Sequence, residues 1–223
     1  MPRRLVIQTV AFLGVMAALL FVPAGTVAWP AAWVFVAELA VPSVLIGAWL
    51  ARHDPALLAE RMSGLFRPGQ PRVDRHGGVS RSHGRLAGGD GGRRDAISPL
   101  ARAGVAEGVG ALAVALCFCL AFLTFRANTY AAAAVRVQAE REHRVVTDGP
   151  YAVVRHPMYA GAILYFLGTP LLLGSWYGLA FAPVFIVLLA MRAVMEERML
   201  TRALDGYPAY AARVRYRLVP YIW

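Results

Sequence analysis

The stretch D-G-P-Y-A-V-V-R-H-P-M-Y-A-G runs from Asp148 to Gly161 and determines how the rest of the chain is interpreted. It places an Arg-His pair between two prolines, immediately before two apolar runs at residues 162–174 and 178–191. Ionisable residues at the edge of a membrane span are rare unless they have a partner or a function. The stretch therefore predicts a polar, conformationally fixed loop at the mouth of a hydrophobic helical hairpin.

Prolines fix the shape of this loop and the start of the helix after it. Pro150 and Pro157 each remove a backbone donor, and Pro157 suits the first position of a helix. The N-terminus of that helix is then expected beside Arg155 and His156, and such a corner suits a carboxylate or a phosphate. The spacing alone leaves open a simpler alternative, a basic loop at the membrane edge without a ligand.

The composition indicates an integral membrane protein with an all-α fold. Of the 223 residues 58% are hydrophobic, and the mean hydropathy is +0.52. All 23 basic residues are arginine, and they flank apolar runs as the positive loops of membrane proteins do, which argues against a nucleic-acid partner. Cys117 and Cys119 point to different faces of one expected helix, so we predict neither a disulfide nor a metal site there. The histidines also lack a metal-binding spacing.

The apolar runs predict about five transmembrane helices in one domain, residues 1–223. The runs are residues 5–22, 31–50, 104–125, 164–173 and 179–191. The last two predict a C-terminal helical hairpin. The first run resembles a signal-peptide core, but a second run follows at once, which favours a retained two-span hairpin. Asp54 is expected to cap a short amphipathic helix that lies on the membrane surface.

Two features of the chain conflict with this count of spans. Residues 68–103 form an anomalous loop rich in arginine and glycine that could not form a core. A literal count then places residues 51–103 and 126–157 on opposite sides of the membrane, although both are rich in arginine. We therefore expect that one crossing is missing or misread, and the simplest place for a missing span is residues 71–103. The tail is interpreted as an interfacial belt of aromatic and basic residues that includes Tyr207 and Tyr210.

The motifs at residues 149–161 and 196–220 resemble the isoprenylcysteine carboxyl methyltransferase family in its bacterial branch. The resemblance rests on G-P-Y-A-V-V-R-H-P-M-Y-A-G, the hairpin after it, E-E-R-M-L, and Y-P-A-Y-A-A-R-V-R-Y-R-L-V-P. It is close over about residues 104–223, and the phospholipid N-methyltransferases share the general plan. The resemblance implies that residues 104–223 are the cofactor-binding catalytic part and that residues 1–67 contribute a span hairpin and a surface helix.

The resemblance also implies a cofactor, S-adenosylmethionine, and a set of site residues. Arg192 and Glu197 match the charged pair beside the methyl-transfer centre, so we expect them to be catalytic. Arg155 and His156 would hold the methionyl carboxylate of the cofactor. The residues expected to bind the cofactor are Tyr151, Arg155, His156, Pro157, Tyr159, Gly161 and Glu196. Arg192 and Glu196 are four residues apart, and a surface ion pair is the alternative for these two.

Residues 71–103 depart from the family, because an apolar span is expected there. Their composition is typical of a shifted reading frame in a GC-rich gene, and exclusive use of arginine fits such a source. Our hypothesis is that two compensating frame shifts bound this segment. Resequencing the gene tests it, and the absence of an apolar reading in the other two frames would reject it.

The expected function is S-adenosylmethionine-dependent methylation of a carboxylate on a lipophilic or prenylated substrate embedded in membrane lipid. Two alternatives remain: amine methylation on a phospholipid, or a non-catalytic membrane protein with a damaged span. The expected location is the bacterial inner membrane, with several crossings and the active site facing the cytoplasm. The sequence makes no prediction about the native substrate or the oligomeric state.

Overall fold

The computed structural model describes residues 3–64, 100–131 and 144–223, and these residues form helices joined by short connections. The helices are α1 (Arg3–Ala24), α2 (Pro30–His53), α3 (Pro55–Gly64), α4 (Leu100–Ala127), α5 (Pro157–Leu172), α6 (Trp176–Ala203) and α7 (Tyr207–Arg213), with a 3-10 turn at Gly149–Ala152. Within these ranges, extended pairing is limited to one isolated bridge between Val154 and Tyr216.

Four of the helices are long and apolar enough to cross a membrane: α1, α2, α4 and α6. Helix α5 has 16 residues and is about 24 Å long, somewhat short of a bilayer core. Large apolar side chains lie on the outside of the bundle, including Val10 and Leu19, which are 63% and 62% exposed. The predicted all-α, polytopic membrane fold is confirmed.

Two apolar clusters mark opposite ends of the bundle. The first, at the α3 end, contains Leu50, Leu57, Leu58 and Phe125, with Leu5 and Met158 packed against them. The second, at the opposite end, contains Ala31, Phe35, Leu39 and Leu172, with Leu20 and Ala111 packed against them. The direction of each helix follows from which of its ends packs in the first cluster and which in the second.

The two clusters resolve the conflict in the span count. Helices α2 and α4 both run towards the α3 end, so α3 ends and α4 begins at opposite ends of the bundle. Helix α5 leaves the α3 end and α6 returns to it. The literal count was therefore wrong: the start of α1, helix α3, the chain before α5 and the tail after α6 lie at the same end. The frame-shift hypothesis concerns residues 71–103, nearly all of which lie outside the described residues.

Glycines set the close approach of α4 and α5. A Cβ atom added to Gly110 would lie 2.3 Å from the backbone nitrogen of Leu172, and one added to Gly168 would lie 2.8 Å from the Ala113 Cβ. Small residues at such crossings let helix backbones approach closely in membranes. This crossing fixes the position of α5, and with it the loop before α5, against α4.

Helix α3 forms as predicted, and its apolar face is buried against protein. Asp54 caps it, because its Oδ1 accepts a hydrogen bond of 2.9 Å from the Leu57 backbone. Leu57 and Leu58 are 0% and 7% exposed, packed against the ends of α2 and α4. The ends of α2 and α4 therefore fix the position of α3, and its place on the membrane surface stays a prediction.

Candidate active site

A cavity of about 420 Å³ opens at the α3 end of the bundle, where α3, α5, α6 and α7 approach one another. The predicted site residues that line it are Tyr151, Arg155, His156, Pro157, Tyr159, Arg192 and Glu196. Two predicted residues do not line it: Gly161 and Glu197. Gly161 is buried against α4, where an added Cβ would lie 3.4 Å from the Cys117 carbonyl oxygen.

The loop before α5 is held by the C-terminal tail. The backbone N–H groups of Arg155 and His156 donate hydrogen bonds of 2.9 Å to the carbonyl oxygens of Tyr216 and Arg217, respectively. Pro157 then occupies the first turn of α5 and is fully buried. The tail therefore acts as a short extended partner that fixes the entry into α5.

Glu197 of α6 contacts three basic side chains where the loop before α5 meets the tail. Its Oε1 lies 2.8 Å from Arg155 Nε and 3.1 Å from His156 Nε2, and its Oε2 accepts a hydrogen bond of 2.9 Å from Arg217 Nε. Arg155 also donates through Nη1 to the Ala211 carbonyl oxygen. The loop before α5, helix α6 and the tail are thus joined through one carboxylate, and the corner predicted to hold an anion is occupied by Glu197 itself.

A second polar chain faces the cavity. Arg192 Nε donates a hydrogen bond of 2.8 Å to the Tyr159 hydroxyl, which donates one of 2.6 Å to Glu196 Oε2. The His156 ring stacks on the Tyr159 ring at 5.4 Å between centroids. The sequence hypothesis placed Glu197 with Arg192, whereas the structure places Glu196 with Arg192, through the hydroxyl of Tyr159.

Tyr151 is held from two sides by residues that the sequence did not indicate. Asn128 Nδ2 donates a hydrogen bond of 2.8 Å to the Tyr151 hydroxyl, and the Tyr210 hydroxyl donates one of 2.9 Å to the Tyr151 carbonyl oxygen. Burial raises the pKa of Tyr151 to about 12, although the bond from Asn128 acts in the opposite direction. Tyr151 is therefore a neutral, fixed wall of the cavity.

Tyr207 and Tyr210 of the tail line the cavity as well, and are not part of an exposed interfacial belt. Tyr207 and Tyr210 are 4% and 5% exposed, and burial raises the pKa of both phenols. Their spacing of three residues places them on one face of α7, which is the available sequence signal. Arg61 of α3 is another lining residue that the sequence analysis missed.

Comparison with known proteins finds a methyltransferase family that is similar to the part of the chain forming most of the cavity. Residues 105–205 match the family described as phospholipid methyltransferase. This part of the chain is similar to that family. The matched range contains most of the lining residues, including Tyr151, His156, Tyr159, Arg192 and Glu196, whereas Arg61 and the tail tyrosines lie outside it.

Two curated relatives are named as methyltransferases. Over 82 residues the chain is 38% identical to protein-S-isoprenylcysteine O-methyltransferase of Schizosaccharomyces pombe. The aligned stretch covers 36% of this chain and 35% of that protein. Over 82 residues it is 34% identical to protein-S-isoprenylcysteine O-methyltransferase B of Arabidopsis thaliana, covering 36% of this chain and 42% of that protein. The similarity thus spans less than half of either relative. No solved structure matches the chain significantly.

Proposed function

We propose that this protein is an S-adenosylmethionine-dependent methyltransferase that forms a methyl ester on the carboxylate of a lipophilic substrate held in the membrane. The observation that carries the proposal is the Arg192–Tyr159–Glu196 chain on the wall of the cavity. These three hydrogen-bonded residues lie in the segment that matches the methyltransferase family. The relatives named as isoprenylcysteine O-methyltransferases support a prenylated or similar acceptor.

The residues of the cavity fit a sulfonium cofactor. A volume of about 420 Å³ is in the range of small-molecule sites. Aromatic faces and a carboxylate suit a sulfonium cation, and the cavity presents Tyr159, Tyr207 and Glu196. When bound, the cofactor supplies an electrophilic methyl group on a positively charged sulfur.

The acceptor carboxylate needs orientation and desolvation, but no general base. Arg192 is proposed to hold it, because its planar guanidinium can bind a carboxylate with two parallel hydrogen bonds. Tyr159 and Glu196 are proposed as positioning residues that fix the Arg192 side chain through Nε. Much of the rate is then expected from positioning.

Glu197 is proposed to act one layer behind the cavity. It holds Arg155, His156 and the tail residue Arg217, and so fixes the loop from which α5 and Tyr159 start. We therefore assign to Glu196 the positioning of Arg192 inside the cavity, and to Glu197 the positioning of the loop before α5, although the sequence motif alone favoured Glu197 as the catalytic carboxylate.

The alternative function is N-methylation of a phospholipid amine. The description of the matched family favours it, and Glu196 in the cavity could accept the proton that an amine must lose. The charge of the cavity favours the carboxylate, because the described lining residues include four arginines and one carboxylate, Glu196, and of these arginines Arg155 is paired with Glu197 behind the wall. These arginines are Arg61, Arg144, Arg155 and Arg192.

We further propose that the cavity faces the cytoplasm of a bacterial cell, at the inner membrane. Arginine-rich segments concentrate at the α3 end, whereas the turns at residues 25–29 and 173–175 carry no charged residue. Among the described residues, Arg102 in the first turn of α4 is an arginine at the opposite end. Positive residues flank spans on the cytoplasmic side.

Transfer of labelled methyl to a membrane extract tests the proposed function. Purified protein is incubated with S-adenosylmethionine labelled in the methyl group and with extracted membrane lipid, and the labelled product is identified. A methyl ester on a lipophilic acid is expected. A methylated aminolipid would support the alternative, and cofactor binding without any labelled product would reject both enzyme assignments for this extract.

A further inference from the structure

Arg61 reaches the cavity from α3, a part of the chain outside the family match. Its guanidinium stands 4.4 Å from the centroid of the Phe125 ring. Nη1 donates a hydrogen bond of 2.7 Å to the Ala131 carbonyl oxygen and lies 3.9 Å from Met158 Sδ. The two polar contacts involve one of the three guanidinium nitrogens, and the residue lines the cavity.

The positive charge of Arg61 lacks a counter-charge in the described part of the chain. Arg155 has Glu197, and Arg192 reaches Glu196 through Tyr159. Arg61 has an aromatic face, a carbonyl and a thioether, and none of these carries a full negative charge. Burial lowers the pKa of the Arg61 guanidinium, which is the direction expected for a cation withdrawn from water. Keeping such a charge half-buried is costly unless a ligand or partner compensates it.

We infer that Arg61 is an anion-binding residue of the cavity and pairs with a carboxylate carried by one of the two reactants. The inference rests on the proposed function for the identity of the reactants. Two carboxylates are chemically equivalent here, that of the methyl acceptor and that of the methionyl group of the donor. Arg61 has five N–H donors in a planar fork, and this geometry matches a carboxylate. The N-terminal part of the chain then contributes directly to ligand selection.

A purely structural role makes a different prediction. If Arg61 only pins α3 to Phe125 and Ala131, its loss lowers stability and weakens charged and neutral ligands alike. A binding role instead changes the preference for a charged ligand over its neutral counterpart. This preference separates the two roles without any measurement of turnover.

The test compares ligand pairs that differ in one carboxylate. The first pair is S-adenosylhomocysteine and its methyl ester, and the second is an S-prenylated N-acetylcysteine and its carboxamide. Binding is measured by calorimetry in detergent for the wild type, Arg61→Met and Arg126→Met. Arg61→Met keeps a side chain of similar length over Phe125. Arg126→Met is the control, because Arg126 follows Phe125 in the sequence, is exposed and does not line the cavity.

We expect the wild type and Arg126→Met to prefer the carboxylate in one pair about ten- to hundredfold, and Arg61→Met to lose that preference. Loss in the first pair assigns the donor carboxylate, and loss in the second assigns the acceptor carboxylate. If Arg61→Met does not fold, Arg61→Lys is measured and should reduce the preference to a few-fold, because a point charge lacks the fork. An unchanged preference in both pairs would overturn the inference. The two proposals can also fail separately. If the preference depends on Arg61 but the protein transfers no methyl group to any carboxylate, the proposed function is rejected and the inference stands.

Discussion

Two adjacent carboxylates, Glu196 and Glu197, take different positions because neighbouring residues on a helix point about 100° apart. Glu196 shares a face with Arg192, four residues earlier, and lines the cavity. Glu197 points to the loop before α5 and to the tail. The two adjacent carboxylates therefore connect the cavity lining with the contact between the loop before α5 and the tail.

Substituting the two carboxylates separately should give opposite results. Glu196→Ala is expected to remove most methyl transfer and to change the thermal midpoint little. Glu197→Ala leaves half-buried and buried cations without their counter-charge, so we expect a loss of about 3 kcal/mol in the free energy of unfolding. Thermal unfolding in detergent and a single-turnover methyl-transfer assay distinguish them. A stable, inactive Glu197→Ala beside a fully active Glu196→Ala would contradict our assignment.

Tyr159 offers a narrower test of the polar chain. Tyr159→Phe removes the hydroxyl that joins Arg192 to Glu196 and keeps the ring that stacks on His156. We expect methyl transfer to fall by about ten- to hundredfold, since one charge-assisted hydrogen bond is lost on each side, and binding of S-adenosylhomocysteine to change little. The matched control is Tyr177→Phe, because Tyr177 is 84% exposed at the opposite end. Equal activity of the two variants would show that the hydroxyl is dispensable.

At this scale the sequence predicted the residues of the cavity better than their partners. The loop from Tyr151 to Tyr159 was identified because prolines and an Arg-His pair beside an apolar run are locally unusual. The partner of Arg155 and His156 could not be predicted, because Glu197 and the tail approach the loop only after α5 and α6 have folded. Arg61 lies about 100 residues from the motif, and no local pattern connects the two.

At the scale of helices, the crossing of α4 and α5 determines where the cavity forms. Gly110 and Gly168 allow the backbones to touch near the opposite end, and Gly161 continues the contact towards the loop. The predicted hairpin arms were too short because the apolar runs stop before the helices do. Helix α6 continues through Arg192 and Glu197, whose polar groups find partners inside the protein.

Gly110→Ala tests this crossing. The new Cβ would meet backbone atoms of Leu172, which cannot rotate away, so we expect a loss of about 1–3 kcal/mol in stability. Gly108→Ala is the matched control on the same helix, because nothing lies within 4 Å of its added Cβ. The measurement is the thermal midpoint of each variant in detergent. Equal midpoints would mean that the two helices do not approach as closely as described.

At the scale of the whole molecule, the site depends on all its polar segments reaching one end of the bundle. The sequence predicted the arginine-rich segments and the contradiction in their placement. It could not resolve the contradiction, because the parallel course of α2 and α4 is visible only from their shared packing at Phe125 and Leu50. The start of α1, helix α3 and the tail then share a side of the membrane.

This arrangement predicts the same orientation for two distant points of the chain. A reporter that is active only in the cytoplasm should be active when fused at residue 64 and when fused after Trp223, because both points lie at the α3 end. A reporter placed in the turn at residues 25–29 is the control and should be inactive. Activity at residue 64 combined with inactivity after Trp223 would support the literal span count and contradict the fold.

Transfer of methyl to a defined acceptor tests the central claim most directly. Purified protein in lipid vesicles is given S-adenosylmethionine labelled in the methyl group and an S-prenylated N-acetylcysteine, and the label released as methanol by mild base is counted. We predict base-labile label with the wild type and a loss of at least about a hundredfold with Arg192→Ala, which should still bind S-adenosylhomocysteine. Label that is stable to base, or equal label with Arg192→Ala, would contradict the account.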